Sequence, residues 1–396
     1  MTFPPKIVLG KYKLHEKIST DCDSFVYSAT AAPRSRRRSK DQGHAPHQKD
    51  QTAESVVVKL AHPAVRRTQS QIKHELEMYK HLSGSAAIVK LLDHSRDCLV
   101  LERGISDLKT LIEKQPDRRF SLKTALMFGA EMLRNFRDVH DRGFIWRKLK
   151  PADILFMGWP KRCTYEASKP GRVGHDDWSM TSDDSSAGSP TVRPWPAQYV
   201  PPPPDFEAYI NFKWGEDGAV FTQTLTYGFE VTTEKKEARV VGNHGAFCII
   251  DLASGIVFID KNRNHYDYAE NSEHRNYYSE FASVTQHLKV QSSRRDDIES
   301  LLYLLVKLIL GDLPWSHPPL LTGPYSRSIT EKYILSCKLH FPSAETKAKL
   351  PPEIIEIIEK VQTLQFDERP DYEEYMELLK KCYDKEEFRI DGVFDF

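Results

Sequence analysis

Apolar and polar residues alternate with a two-residue period over Lys11–Ile18, Phe25–Ala29 and Ser55–Leu60, the last carrying Val56, Val57 and Val58 just ahead of Lys59. Alternation and β-branched residues predict three strands. The period then changes. Ile72, Leu76, Met78, Tyr79 and Leu82 place a helix over Gln69–Leu82, after which Ile88–Leu92 and Cys98–Leu101 are predicted as a strand pair. Ser121, a preferred N-cap, opens a helix predicted to run through Asp141 with Met132, Leu133, Phe136 and Val139 on one stripe. Leu301–Leu310 is apolar almost all round, as a helix buried on every side requires, and Pro352–Leu364 repeats isoleucine at helical spacing. Strands with one helix, followed by helices, predict an α+β chain in two lobes. The small, mainly β N-terminal lobe covers about 8–103 and the larger, mainly α C-terminal lobe about 104–396.

Two long insertions interrupt these patterns. Residues 31–54 contain the run Arg34, Ser35, Arg36, Arg37, Arg38, Ser39, Lys40 and no apolar periodicity, and are expected to be disordered. The run reads first as solvated charge, with nuclear import or anion binding as the alternatives. Residues 158–244 separate two segments that would otherwise adjoin as a hairpin. Their first half, acidic and Ser-rich from Asp176 to Pro190 and then Pro-rich to Pro201–Pro204, is expected to be disordered. The proline run reads as a spacer before a docking motif. The second half predicts short strands at Tyr209–Trp214, Ala219–Thr226 and Phe229–Val231, with a turn at Gly215–Gly218.

Composition adds exclusions. The 56 basic and 56 acidic side chains cancel, so no global field favours nucleic acid or an anionic membrane. Six cysteines (Cys22, Cys98, Cys163, Cys248, Cys337, Cys382) show neither a CxxC pair nor zinc-finger spacing and are expected as reduced thiols. His44, His47, His244, His265 and His274 lack metal-ligand spacing and are read as surface residues. The start lacks the basic and apolar regions of a signal peptide, which predicts an intracellular protein, cytoplasmic or, through the basic run, nuclear.

The chemistry lies in a set of ordered motifs. Ile145-Trp146-Arg147-Lys148-Leu149-Lys150-Pro151-Ala152-Asp153-Ile154-Leu155 has the frame H-R-D-x-K-P-x-N of a kinase catalytic loop. Phe120–Thr124, Ser293-Arg294-Arg295-Asp296-Asp297-Ile298-Glu299-Ser300, Leu313-Pro314-Trp315 and Phe366–Tyr372 follow in matching order. Outside the two insertions the chain resembles the casein kinase one family of protein kinases, which implies a two-lobed kinase fold, ATP and Mg²⁺. The resemblance implies an ion pair between Lys59 and Glu75, nucleotide-binding positions at Leu101 and Glu102, and metal ligands at Asp153 and Asp251. Lys150 takes the place of the phosphate-contacting lysine.

The departures are chemical. The catalytic base position holds Lys148, and a lysine of ordinary pKa about 10.4 is protonated at pH 7 and accepts no proton. Ser19-Thr20-Asp21-Cys22-Asp23-Ser24 fills the frame of the glycine-rich loop without a glycine, and Asp21 and Asp23 repel a polyphosphate, so ATP binding is expected to be weak. In Ile249-Ile250-Asp251-Leu252-Ala253 the aspartate of D-F-G remains without its Phe or Gly, and Asp153 replaces an asparagine. Glu280 stands where the resemblance expects an anion-binding arginine, so primed acidic substrates are expected to be repelled. With no competent catalytic residue, the chain reads as a monomeric, pseudokinase-like protein-binding or regulatory scaffold. A weak Ser/Thr kinase is the alternative, and an adaptor or substrate phosphorylated at Ser179–Ser189 the second alternative.

Overall fold

The N-terminal alternation produces a six-stranded antiparallel sheet in the computed structural model, which describes residues 7–21, 24–31, 55–62, 65–158, 246–270, 280–318, 326–388 and 393–396. Its strands are β1 (Ile7–Val8), β2 (Tyr12–Asp21), β3 (Ser24–Ala31), β4 (Ser55–Ala61), β5 (Leu91–Ser95) and β6 (Cys98–Glu102), in the order β1-β2-β3-β4-β6-β5. Between β4 and β5 runs α1 (Arg66–His81), which buries Ile72, Met78 and Tyr79. β3 and β4 pair from Ser24 opposite Ala61 to Thr30 opposite Ser55, which sets Lys59 between Val26 and Leu99 of β6. The predicted disorder of 31–54, apart from Ala31 at the end of β3, and the readings of 158–244 beyond Gly158 lie outside the described residues. So do those made on Cys22, Asp23, Cys163 and Ser179–Ser189.

One strand boundary differs from expectation in a way that matters. The apolar pattern predicts a strand over Ile88–Leu92, but β5 starts at Leu91, and Ile88 makes a parallel bridge to Ile249 instead. Ile249 N–H donates to the Ala87 carbonyl (2.8 Å) and Val89 N–H to the Ile249 carbonyl (3.4 Å). The apolar run has two partners to choose from, and only the return of a distant segment decides between them.

From residue 106 onwards helices dominate. β7 (Ser106–Asp107) leads into α2 (Leu108–Glu113), whose first turn is capped by Asp107 accepting from Thr110 N–H (2.9 Å). α3 (Leu122–Asp141) follows, with Ser121 Oγ accepting from Thr124 N–H (3.1 Å), in agreement with the predicted N-cap. A turn through Gly143, at φ +82, leads to β8 (Phe144–Ile145); a Cβ there would stand 2.2 Å from Ile259, so glycine is required both by backbone and by space. β9 (Ile154–Phe156) pairs antiparallel with β10 (Phe247–Ile249), closing the hairpin expected across the long insertion. β11 (Ile256–Val257) returns to β8.

Then come α4 (Val284–His287), α5 (Arg294–Leu310), α6 (Ser326–Leu339), α7 (Ala344–Lys349), α8 (Pro352–Thr363) and α9 (Tyr372–Lys385). α5 starts seven residues before its apolar run, because Asp296 accepts from Ser293 N–H (2.7 Å) and closes the first turn. Leu301, Leu302, Tyr303, Leu304, Leu305, Val306 and Leu308 are all buried, against α3 and α8. Phe156, Phe247, Phe394 and Phe396 form an aromatic cluster that ties the hairpin to the last described residues. Two sequence readings need correcting or completing. His265 is half-buried against Phe258, Tyr266 and Phe366, not a surface residue. Cys98, Cys248, Cys337 and Cys382 are free thiols.

The buried start of α5 holds the loop after β8. Asp297 accepts from Trp146 N–H (2.6 Å) and Arg147 N–H (2.7 Å). It also faces His140 Nε2 at 3.1 Å. Burial holds His140 below its ordinary value despite the pull of Asp297, so the ring is neutral at pH 7 and has one N–H. A carboxylate only accepts, so Nε2 carries that proton, and Nδ1 accepts from the Tyr372 hydroxyl (2.6 Å). Asp297→Ala removes the acceptor of two backbone N–H groups, one buried and one part-buried. Each orphaned donor costs about 1–3 kcal/mol, so urea denaturation should show a loss of roughly 3–5 kcal/mol; a loss below about 1 kcal/mol would mean that the loop is held by other contacts.

Candidate functional site

Four segments contribute to one cluster of charged side chains around Asp251. β4 supplies Lys59, α1 supplies Glu75, the loop after β8 supplies Lys148, Lys150 and Asp153, and the backbone after β10 supplies Asp251 itself. Lys59 Nζ donates to Glu75 Oε2 (2.7 Å) and to Asp251 Oδ1 (2.9 Å). Lys148 Nζ lies 3.6 Å from Asp251 Oδ2, and Lys150 Nζ lies 3.8 Å from Asp153 Oδ2. Thus six of the eight residues singled out in the sequence are drawn into this cluster. Leu101 and Glu102 lie at the end of β6, two and three positions beyond Leu99, which faces Lys59 across the sheet.

Local backbone explains the directions in which these side chains run. Arg147 (φ +66) and Asp251 (φ +56) both occupy the left-handed region, uncommon for residues with a Cβ, and need surrounding contacts to stay there. Those contacts are present. Arg147 Nε donates to the Ser254 carbonyl (2.8 Å), Gln286 Nε2 to the Arg147 carbonyl (2.7 Å), and Trp146 Nε1 to the Asp251 carbonyl (3.4 Å). Trp146, whose identity in the sequence carries little information, is fully buried and links the two unusual backbones.

Burial decides the electrostatics. The Glu75 side chain is 1% exposed, and those of Lys59, Lys148 and Asp251 are 13–15% exposed. Burial disfavours the Lys59 ammonium, but the carboxylates of Glu75 and Asp251 outweigh it and hold Lys59 well above its ordinary value. Burial likewise opposes ionisation of Asp251, yet Lys59 and Lys148 hold it well below the usual carboxylate range. Asp153 goes the other way. Burial, reinforced by Asp251, pushes it up to about 7 against the pull of Lys150 and Lys148. An ammonium–carboxylate contact near 4 Å is worth about 4 kcal/mol before desolvation at an effective dielectric of 20, so the cluster is a strong local constraint.

The ammonium groups set against both oxygens of Asp251 oppose the divalent cation that the resemblance implies. Mg²⁺ requires close, near-octahedral oxygen ligation at roughly 2.0–2.1 Å. Here one oxygen of Asp251 accepts from Lys59 and the other faces Lys148, so a dication beside Asp251 would displace an ammonium or lie against it. Among the described residues no group of three or more His, Cys, Asp or Glu side chains could hold a metal ion.

Glu280 is held by several groups. Lys307 Nζ donates to both its carboxylate oxygens (2.7 and 2.8 Å), the Ser316 hydroxyl donates to it as well, and Trp315 Nε1 donates to its backbone carbonyl (2.8 Å). Glu280 is therefore not a lone carboxylate but one paired within the fold. The β2–β3 ladder runs to Asp21 opposite Ser24. Among the described residues, no helix is long and apolar enough to cross a membrane.

Sequence reasoning misses Asp297, whose role depends on backbone groups some 150 positions away; its only signal is its place in the Arg294–Ser300 motif. A scan against protein-family models finds no match.

Two measurements follow from the cluster. Lys59→Met leaves Glu75 buried without its ammonium and should cost roughly 3–5 kcal/mol in urea denaturation, whereas a cost below about 1 kcal/mol would show Glu75 to be neutralised by other means. Asp153 binds its proton more tightly folded than unfolded, so its contribution is fully present below its unfolded value near 4 and is lost as pH rises through about 7. Asp153→Asn should therefore gain stability over the native chain as pH increases, by up to about 4 kcal/mol at pH 8 and little at pH 4. A gain independent of pH would contradict this account.

Proposed function

We propose that the chain is a casein kinase one-like pseudokinase. In this reading a two-lobed kinase fold has given up phosphoryl transfer and acts as a protein-binding or regulatory scaffold, with residual nucleotide binding. What supports the fold is the order of parts: an antiparallel sheet with one helix, a hairpin of β9 and β10, then a helical region around a buried α5. The motifs that carry the resemblance lie on those parts in the same order.

One observation carries the functional reading. The residue in the frame of the catalytic base is Lys148, and its ammonium is turned to Asp251 at 3.6 Å. Transfer to a hydroxyl needs a group that accepts the proton and orients the oxygen; an ammonium paired with a carboxylate does neither. A general base contributes roughly 10²–10⁴-fold to rate, and the loss is compounded where the metal that neutralises the transferred phosphoryl is excluded. The Lys59–Glu75 pair, closed at 2.7 Å, supports a retained nucleotide site.

The test is a transfer assay with labelled ATP, on the chain itself and on an acidic protein substrate, comparing the native chain with Asp251→Ala. Incorporation should be at background in both. Incorporation in the native chain that Asp251→Ala abolishes would overturn the reading and favour a weak Ser/Thr kinase.

A further inference from the structure

The cleft that lost its base has gained a cation, and the position of that cation is informative. Asp251 has two oxygens, and each already faces an ammonium: Lys59 at 2.9 Å on Oδ1 and Lys148 at 3.6 Å on Oδ2. Lys150 stands on the same loop, a third of its side chain exposed, 3.8 Å from Asp153. Three ammonium groups thus lie in one charged cluster, anchored by carboxylates that fix their positions without requiring a metal. Exchanging a carboxylate for Lys148 changes the local charge by two units, the charge of one divalent cation. Asp153, in place of a neutral asparagine, returns at most one of those units, so the cluster remains at least one unit more positive than the family pattern implies.

The geometry points to Lys148 as a built-in replacement for the divalent cation: the cleft binds a nucleoside polyphosphate without metal, with the ammonium groups of Lys59, Lys148 and Lys150 meeting the phosphates. The inference rests on the reading of this cleft as a nucleotide site and names how its ligand is held. Lysine binds phosphate as a point charge with three donors and needs no fixed angular arrangement. The ammonium of Lys148 can remain near Asp251 while facing a phosphate, whereas Mg²⁺ must compete with it for the same oxygen. Metal is therefore expected to be dispensable or mildly inhibitory, the reverse of its place in a phosphotransferase.

The experiment is thermal melting of the full chain with millimolar ATP, once in EDTA and once in excess Mg²⁺, with Mg²⁺ alone and inorganic tripolyphosphate as further probes. In EDTA a ligand in tenfold excess over its Kd should raise the midpoint by roughly 3 °C, and the rise with Mg²⁺ should be no larger. Tripolyphosphate should raise it as well, since the contacts are to phosphates. Lys148→Gln should lose most of the rise in EDTA and recover it with Mg²⁺. A rise in the native chain only when Mg²⁺ is present, or none with either nucleotide or tripolyphosphate, overturns the inference; the native-chain comparison needs no variant to fold. Asp251-dependent transfer would overturn the pseudokinase reading alone, and a Mg²⁺-dependent melting shift without transfer would overturn this inference alone.

Discussion

The carboxylate of Asp297 is the constraint on which the site depends. It is buried at the start of α5 and accepts the backbone N–H groups of Trp146 and Arg147, fixing a loop that would otherwise have two unsatisfied donors in an apolar core. Because Arg147 sits in the left-handed region, the chain turns sharply there, and Lys148 leaves the loop towards Asp251. The neutral ring of His140 and the hydroxyl of Tyr372 extend the same network to α3 and α9. A polar network that is satisfied at each step fixes one loop conformation, where apolar packing alone would allow several.

The second level of organisation is electrostatic. Glu75 is almost wholly buried and needs Lys59; Lys59 in turn bridges the sheet and the segment after β10 by reaching Asp251. The parallel bridge of Ile88 to Ile249 brings that segment alongside the sheet, two residues before Asp251. Backbone pairing supplies the approach and the ion pairs supply the final registration. Lys148 extends this arrangement by one more charge, so that each oxygen of Asp251 faces an ammonium. Each ammonium of the cluster thus lies within 4 Å of a carboxylate, and the charges hold one another in place.

Much of the frame is legible in short stretches of sequence. Ser121 is readable as a cap because its hydroxyl acts three residues away, within one helical turn. The apolar run of α5 announces burial, although the seven residues ahead of it are mostly charged or polar and are recognisable only through their motif. Ile88 is misplaced by its pattern because β-branched residues favour any strand-like pairing, and the choice between neighbours is made by tertiary contacts. His265 is misplaced for a related reason: imidazole is at home on a surface or against aromatic rings, and Phe366, one of the rings that cover it, comes from a distant part of the chain.

By itself the sequence determined which chemical groups are present: a lysine at position 148, no glycine from Ser19 to Ser24, and an oppositely charged Lys59 and Glu75. It also determined the helices and strands whose periods are written in short stretches. Only the tertiary structure decided what those groups do to one another. Lys59 and Asp251 are 192 positions apart, and Glu280 meets Lys307 across 27. The sign of a side chain's charge is local, but its effective charge depends on what the fold puts beside it. Glu280 consequently stands paired with Lys307, and Lys148 gained a partner that no local pattern could reveal.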